Sequence, residues 1–234
     1  MTPAYDIILT SDGSPTLRDH RNETFHSHHG AAQETRHVFI ANGLDHYRSK
    51  TSATQITIAE IGFGTGLNAA MAWQYAQFHK IPITMVTCET HPLPQETTHH
   101  YSDALSAYDS ELGSFHRRLI NADWDTLVQL DPLFAITKHH CPADLVQWPV
   151  PIHVVWFDAF SPDTSPDCWT EATLTPLCHV MADDAVLTTY CAKGSVRRLF
   201  QSVGLAIERL PGPPGKREML RATRLAQPHS EIVQ

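Results

Sequence analysis

The sequence predicts an α/β protein with a Rossmann-like, mostly parallel sheet of seven strands, the last of which is antiparallel. Three observations lead to this prediction. Apolar, β-branched runs alternate with helix-forming segments, as in βαβ units. A glycine-rich turn joins the first run, residues 56–61, to a segment of good helix formers. Acidic residues lie at the ends of three runs, at Glu60, Glu89 and Asp158, and such folds bind ligands at the carboxyl ends of their strands.

Residues 1–50 are predicted to form an N-terminal extension to the sheet. Within it, residues 5–20 hold two short runs around the turn-forming residues 11–15, which predicts a small β-hairpin. Residues 22–48 are rich in histidine, and we interpret them either as a lid-like loop over the ligand site or as plain surface histidines. No metal is expected there, because catalytic zinc usually takes three ligands with orderly spacing and an acidic partner.

Residues 51–225 are predicted to form the main domain, followed by a loose tail at 226–234. The predicted strands lie at 56–61, 83–89, 117–124, 152–158, 185–190, 205–210 and 216–222. The predicted helices lie at 67–78, 95–108, 125–130, 173–181 and 193–200.

Charge is distributed unevenly along the chain. The formal net charge is −8, yet residues 193–224 hold eight Lys or Arg residues against two Glu. This asymmetry suggests a local anion-binding face. The alternative is a solvated helix and strand that happen to be basic.

The composition predicts a cytoplasmic protein that is not associated with a membrane. The five cysteines are scattered, which argues against a disulfide framework and for a reducing compartment. No apolar run approaches the ~20 residues of a membrane span. The first residues have neither a basic start nor a signal-peptide core.

The glycine-rich turn has the pattern Glu-x-Gly-x-Gly-x-Gly over residues 60–66. A dinucleotide fingerprint has two more residues before its third glycine, and a P-loop needs a Gly-Lys-Ser/Thr sequence that is absent here. The pattern resembles the S-adenosyl-L-methionine (AdoMet) loop of class I methyltransferases. The alternative is an ordinary glycine-rich turn between a strand and a helix.

Acids at the ends of later strands point to the same crevice. Glu89 is suited to bind ribose hydroxyls, as an acid at the end of the second strand does in nucleotide folds. Asp123, at the end of the weakly predicted third strand, is a candidate for the adenine amino group. Asp158 follows the strand at 152–158, with Phe160 beside it as a wall for a flat base. The alternatives are a surface strand-end acid for Glu89 and a turn-capping role for Asp158.

Three blocks of the sequence resemble the MnmC-type tRNA (5-methylaminomethyl-2-thiouridine) methyltransferase domain. They are residues 33–44, residues 60–68 with the form Glu-Ile-Gly-Phe-Gly-Thr-Gly-Leu-Asn, and residues 156–220. The resemblance implies a class I AdoMet-dependent methyltransferase that methylates the exocyclic amine of 5-aminomethyl(-2-thio)uridine at the tRNA wobble position. The chain departs from the family at Gly215, where an arginine is common.

The resemblance also implies roles for individual residues. Asp158 is the implied catalytic residue, acting as a general base or orienting the N–H bonds of the amine. The implied AdoMet-binding residues are Glu60, Gly62, Phe63, Gly64, Gly66, Asn68, Glu89, Asp123 and Asp158. The candidate tRNA contacts are Phe160 and Trp169, which would stack on the base, and Lys193, Arg197, Arg198, Lys216 and Arg217, which would hold phosphates.

AdoMet is the expected cofactor, and neither a metal nor a flavin is expected. Two-domain family members carry a C-terminal flavin-dependent oxidase, whereas this sequence ends at Gln234. The expected partners are the anticodon region of tRNA and a separate enzyme that would supply the aminomethyl intermediate. Two other functions stay open at this point: a class I methyltransferase acting on a small-molecule or protein amine, and a non-catalytic binding module of the same fold.

Overall fold

The N-terminal extension begins with the predicted hairpin. A computed structural model of the chain describes residues 5–226, in which β1 (Asp6–Leu9) pairs antiparallel with β2 (Pro15–Arg18). Leu17 of β2 is fully buried in the main core. The backbone carbonyl of Pro15 accepts a 3.0 Å hydrogen bond from the Tyr101 hydroxyl. The hairpin prediction is confirmed, and these contacts attach the hairpin to the main domain.

Residues 31–50 are helical rather than a loop. The segment consists of α1 (Ala31–Thr35), a π-helical stretch (Arg36–Asp45) and α2 (His46–Lys50). The lid-like loop prediction is therefore wrong for this part of 22–48. Gly43 in the sequence argued against a helix here, but it lies within the helical segment, where a β carbon would come within 3.2 Å of the Trp156 indole nitrogen. A glycine lets the helix approach the sheet closely.

Within residues 5–226, the main sheet has eight strands. They are β3 (Ile56–Ile61), β4 (Ile83–Cys88), β5 (Leu127–Asp131), β6 (Phe134–His139), β7 (Ile152–Phe157), β8 (Met181–Thr189), β9 (Ala206–Pro211) and β10 (Glu218–Thr223). Their order is β5-β6-β4-β3-β7-β8-β10-β9. The central five strands are parallel, and β10 runs antiparallel to both of its neighbours, as predicted.

Five longer helices cover the sheet. They are α3 (Leu67–His79), α4 (Gln95–Tyr108), α5 (Ser110–Ile120), α6 (Glu171–Val180) and α7 (Gly194–Ser202). Alternate residues of β7 face opposite sides, so that Trp156 packs in one hydrophobic core and Phe157 in the other. Both faces of the parallel strands are buried, as expected when helices cover both sides.

The third parallel strand does not lie at residues 117–124, where the sequence pattern predicts it. Residues 110–120 form α5, and residues 127–131, which were predicted to be helical, form the edge strand β5, antiparallel to β6. Buried Leu112, Phe115 and Leu119 recur at helical spacing along α5, and this periodicity overrides the short apolar run on which the strand prediction rested. The third parallel strand is β6, and β5 is the additional eighth strand.

The described residues bear on two further predictions. No helix within 5–226 is long and apolar enough to cross a membrane. All five cysteines are free thiols. The predicted tail starts at Ala226, and residues 227–234 lie outside the described part of the chain. The division into an extension at 1–50 and a main domain at 51–225 stays a prediction.

Candidate active site

The glycine turn lies between the end of β3 and the start of α3. The backbone amides of Gly62 and Phe63 both donate to the Cys88 carbonyl, at 3.1 and 3.2 Å. Gly62 has a φ of 95°, and a β carbon there would lie 2.8 Å from the Asp158 carbonyl oxygen. Only glycine meets both demands, since other residues rarely adopt this conformation and would clash with the neighbouring strand end. The turn is thereby held against the ends of both adjacent strands.

Glu89 follows β4 and is tied to the glycine turn. One carboxylate oxygen accepts a 3.0 Å hydrogen bond from the Gly64 amide, and the other accepts a 2.9 Å hydrogen bond from the His91 amide. The side chain lines a cavity above the turn. An acid in this position faces the region where nucleotide folds bind ribose.

Glu60 lies beneath the turn and is fully buried. One oxygen accepts a 2.7 Å hydrogen bond from the Thr87 hydroxyl, whereas Oε1 has no hydrogen-bond partner among residues 5–226. Burial raises the pKa of this carboxyl well above its usual value, and the nearby acid Asp158 raises it further. A buried polar atom without a partner is costly, yet Glu60 is not among the residues that line the cavity above the turn.

Asp158 stands at the end of β7, where it is held by a chain of hydrogen bonds. The Asn68 amide nitrogen donates to Asp158 Oδ2 at 2.7 Å, and the Thr35 hydroxyl donates to the Asn68 amide oxygen at 2.7 Å. Burial raises the pKa of Asp158 to about 8, Glu34 also raises it, and Asn68 and Lys216 act to lower it. This carboxyl is therefore oriented and can exchange a proton near neutral pH.

A cavity of about 770 Å³ lies above these groups. It is lined from below by the glycine turn and the strand ends and from above by residues of the N-terminal extension. The Phe25 and Phe160 rings meet edge to face with their centroids 5.2 Å apart. The Tyr5 ring meets Phe25 in the same way, with a centroid separation of 5.9 Å. The cavity thus has polar groups on its floor and aromatic rings on its walls, a combination typical of small-ligand sites.

An ion pair closes one side of the cavity. The Lys216 ammonium lies 2.5 Å from Glu34 Oε1, and the Ser27 amide donates to Glu34 Oε2 at 2.8 Å. The same ammonium lies 3.7 Å from the centroid of the Tyr190 ring, and the Tyr190 hydroxyl donates to the Ala159 carbonyl at 3.0 Å. The ion pair is thereby connected to the strand end that carries the acid at 158.

Half of the predicted site residues line this cavity. Its lining includes Gly62, Phe63, Gly64, Asn68, Glu89, Asp158, Phe160 and Lys216. Glu60 and Gly66 support the turn from behind the lining. The predicted position of Asp123 at the cavity is wrong. This residue is exposed on the connection after α5 and is not among the lining residues. The cause is the misplaced third strand, since Cys141 and Ala143 occupy the cavity wall beyond β6.

Trp169 has a structural position rather than a place on the cavity wall. Its ring packs against Phe157, with centroids 4.3 Å apart, and against Phe200. Its indole nitrogen donates to the Phe160 carbonyl at 2.9 Å. The residue is 9% exposed, so it supports the loop that carries Phe160 instead of offering a face for base stacking.

The predicted basic residues are spread over different environments. Lys193 forms an exposed ion pair with Asp163. Arg198 and Arg217 are exposed, and Arg197 is partly buried with its Nε atom unpaired among the described residues. Lys216 differs from the others because it lines the cavity. Phosphate binding by this set stays a prediction.

Sequence reasoning missed several residues of the site, among them Phe25, whose ring meets Phe160 on the cavity wall. Glu34 and Tyr190 lie on the cavity wall, and His116 supports its floor, with Nε2 2.7 Å from the Thr65 carbonyl oxygen. Burial lowers the pKa of His116 to about 4, so the neutral ring donates to the turn. Two of these residues had a usable signal in the sequence: Glu34 belongs to a block with a family resemblance, and Tyr190 is the last residue of the strand predicted at 185–190. His116 had no such signal.

Metal ligation is not supported by the described side chains. Within residues 5–226, no group of three or more His, Cys, Asp or Glu side chains is placed to hold a metal ion. The histidine-rich segment includes His26, which is buried beside Thr16 and whose pKa burial lowers to about 4. This ring lines the cavity as a neutral group.

The chain has the fold of class I methyltransferases. Residues 134–225 match a family model described as an S-adenosyl-L-methionine-dependent methyltransferase. The chain is also similar to MNMC2 from Aquifex aeolicus, with a TM-score of 0.74 and 21% identity over 96% of this chain and 72% of that one. This structural likeness establishes the shared fold.

The sequence relatives narrow the resemblance. The chain is 29% identical, over 97% of its length, to the tRNA 5-methylaminomethyl-2-thiouridine biosynthesis bifunctional protein MnmC of Ectopseudomonas mendocina. It is 31% identical, over 98% of its length, to the protein of the same name from Azoarcus sp. strain BH72. The chain spans 36 to 37% of the length of these two relatives. The predicted class I methyltransferase fold and the resemblance to the MnmC proteins are confirmed.

Proposed function

We propose that the chain methylates the exocyclic amine of 5-aminomethyl(-2-thio)uridine at the wobble position of tRNA, with AdoMet as the methyl donor. The observation that carries the proposal is the oriented Asp158 carboxyl, which Asn68 holds at 2.7 Å in the cavity above the glycine turn. The names of the MnmC relatives support the choice of substrate. Transfer RNA as substrate makes a cytoplasmic location part of the proposal.

The described residues fit AdoMet as the cofactor. Glu89 offers carboxylate oxygens for ribose hydroxyls, and the glycine turn lets a ligand approach the backbone closely. Glu60 is fully buried beneath the turn, so a contribution of its side chain to AdoMet binding stays a prediction. When bound, AdoMet supplies a methyl group on a sulfonium that is ready for in-line displacement.

Asp158 prepares the acceptor amine. An alkyl amine is mostly protonated at neutral pH and then has no free lone pair. The Asp158 carboxylate can take the proton from this ammonium group or orient its N–H bonds, so that the lone pair faces the methyl group. An ammonium group beside the carboxyl also favours its ionised form. The hydrogen bond from Asn68 keeps the carboxyl in one orientation for this step.

The walls and the outer face position the RNA. Phe25 and Phe160 provide ring surfaces against which an unstacked base can lie. Lys193, Arg197, Arg198 and Arg217 are candidates for phosphate contacts, which would make RNA binding depend on salt. A separate enzyme that makes the aminomethyl group is part of the same proposal, because the reaction needs a primary amine as its substrate.

Methyl transfer from labelled AdoMet tests the function. The substrate is tRNA that carries 5-aminomethyluridine at the wobble position, and the matched control is the same tRNA with its aminomethyl group acetylated, which removes the nucleophilic lone pair. We expect label in the first tRNA and not in the second. Equal labelling of both would contradict an amine acceptor. No labelling of either, by protein that still binds AdoMet, would contradict the tRNA function.

A further inference from the structure

Lys216 occupies a built position in the cavity wall rather than a free position on the surface. Its side chain is 32% exposed and that of its partner Glu34 is 7% exposed. The turn before it brings the Lys216 amide within 2.9 Å of the Pro213 carbonyl, and Gly215 in this turn has a φ of 85°. A β carbon at 215 would lie 2.1 Å from the His29 ring. The left-handed backbone at 215 favours glycine, and the next residue, Lys216, lines the cavity.

Glu34 holds the ammonium in place. Both of its carboxylate oxygens are engaged, one by Lys216 at 2.5 Å and the other by the Ser27 amide at 2.8 Å. Tyr190 supplies a ring face 3.7 Å from the same ammonium. An ammonium group has three N–H donors and no acceptor. Among the contacts of residues 5–226, Glu34 takes one donor and the ring face attracts the charge, which leaves donor capacity for a ligand in the cavity.

This donor and the proposed amine site line the same cavity. Tyr190 follows β8 and carries the ring beneath the Lys216 ammonium. Its hydroxyl donates to the carbonyl of Ala159, the residue directly after Asp158. A base whose amine meets Asp158 lies in the cavity that Lys216 also lines.

The chemistry of the base decides what such a donor would read. In a 5-aminomethyl pyrimidine, the carbon that bears the substituent adjoins C4. Uracil carries a carbonyl oxygen at C4, which accepts a hydrogen bond, whereas cytosine carries an amino group, which donates one. A donor-only ammonium beside C4 would bind the first and oppose the second.

We propose that Lys216, positioned by Glu34 and Tyr190, recognises the C4 carbonyl oxygen of the target base and so selects uracil over cytosine. The inference rests on the proposed function and deepens it. Lys216 is then a specificity residue for the base, and Glu34 is a positioning residue that acts through it.

Two matched RNA substrates test this selection. They are anticodon stem-loops that carry either 5-aminomethyluridine or 5-aminomethylcytidine at the wobble position, and kcat/KM for methyl transfer is measured for each. We expect the wild type to prefer the uridine RNA by about 100-fold or more, because a site built around a hydrogen bond strongly rejects the group that cannot make it. Lys216→Met should reduce this preference at least tenfold, mainly by slowing the uridine reaction.

Three further variants separate base recognition from other roles. Lys216→Arg keeps the donors and should retain most of the preference. Glu34→Gln removes the ion pair but not the side-chain volume, and should reduce the preference in the same direction as Lys216→Met. Lys193→Met removes an exposed cation of the same type and should lower kcat/KM for both RNAs by the same factor, as loss of a phosphate contact does.

The outcomes distinguish this inference from the proposed function. A wild-type protein that methylates neither RNA overturns both. A wild type that methylates the uridine RNA, combined with equal losses for both RNAs in Lys216→Met, overturns the role of Lys216 alone. AdoMet affinity and thermal unfolding are measured for every variant; if Lys216→Met does not fold, an unchanged preference in Glu34→Gln overturns the inference.

Discussion

The floor of the cavity is held by backbone hydrogen bonds, whereas its roof reaches across the cavity with side chains. The floor consists of residues 60–68 with the ends of β4 and β7, where the Asp158 amide donates to the Ile61 carbonyl at 2.9 Å. The roof consists of residues 5–34, and it meets the opposite wall through the Phe25–Phe160 rings and through the Glu34–Lys216 ion pair. Backbone hydrogen bonds between strands form whatever the side chains are, and they give the floor a fixed shape. Side chains differ in shape and charge, so a wall built from them can select one acceptor over another. We therefore assign the cofactor to the floor and the choice of acceptor to the roof and the adjoining wall.

The largest expected effect concerns the acid at the edge of the floor. Asp158→Asn keeps the size of the side chain but cannot accept the proton of the substrate ammonium, so kcat should fall by about 10²- to 10⁴-fold, the usual contribution of a general base. AdoMet affinity, measured by calorimetric titration, should change much less. Asp163→Asn, which alters an exposed acid on the same loop, is the control. Equal losses in both variants would contradict a specific role for Asp158.

A substitution in the turn tests whether the floor depends on its backbone. Gly62→Ala should destabilise the protein by about 1–3 kcal/mol, because alanine is strained at positive φ and its β carbon would clash with the Asp158 carbonyl. AdoMet binding should weaken in parallel. Gly204→Ala is a matched control, since Gly204 has a φ of 84° with nothing within 4 Å of a β carbon. Urea unfolding compares the two variants, and equal destabilisation would show that the clash is unimportant.

An aromatic substitution tests whether the roof serves the acceptor. Phe25→Ala should weaken binding of the aminomethyl tRNA by about 1–3 kcal/mol, the usual value of stacking one base on an aromatic ring. AdoMet affinity should change less than RNA affinity. Phe78→Ala removes a ring that is 81% exposed on α3 and should change neither. If Phe25→Ala weakened AdoMet and RNA binding equally, the separation of floor and roof would be wrong.

The smallest expected effect is a pH dependence of cofactor affinity. The pKa of Asp158 is raised to about 8, so its carboxylate forms as pH rises from 6 to 9 and then attracts the positive sulfonium. S-adenosylhomocysteine has an uncharged sulfur. The ratio of the affinity for AdoMet to the affinity for S-adenosylhomocysteine should therefore rise between pH 6 and 9. The expected rise is about tenfold, which corresponds in free energy to one pKa unit. The ratio removes effects common to both ligands. In Asp158→Asn it should stay flat, and a parallel rise in the variant would assign the dependence to another group.

The floor could be predicted from the sequence because its requirements are local. Gly62 and Gly64 reflect a turn that must approach a ligand and a strand end, and Asp158 follows an apolar run that reads as a buried strand. Such signals lie within about ten residues. The order of parallel strands then places their carboxyl ends at one edge, so that local patterns were enough to bring the acids together.

A lid over the ligand site was one of two interpretations of residues 22–48, and residues 24–27 do line the cavity. The contacts of the roof could not be predicted, because they join residues that are distant in sequence. Glu34 and Lys216 are separated by 182 positions, and nothing near either residue shows that they pair. Asp123 was assigned to the cavity because a short apolar run in α5 was interpreted as a strand. The prediction that Trp169 stacks on the base is wrong because its ring is buried against Phe157 and Phe200. This burial depends on tertiary packing, which the local sequence does not reveal. These cases share one cause. The periodicity of apolar residues predicts a helix or a strand, but it does not predict which other elements pack against it.

Mass analysis of nucleosides tests the central claim most directly. Transfer RNA carrying 5-aminomethyluridine is incubated with AdoMet and either the wild type or Asp158→Asn, digested to nucleosides and analysed by fragmentation. We predict one added methyl group, located on the exocyclic amine, with the wild type, and almost none with the variant despite retained AdoMet binding. A methyl group on the ring or the ribose, or equal yields from the two proteins, would contradict the account.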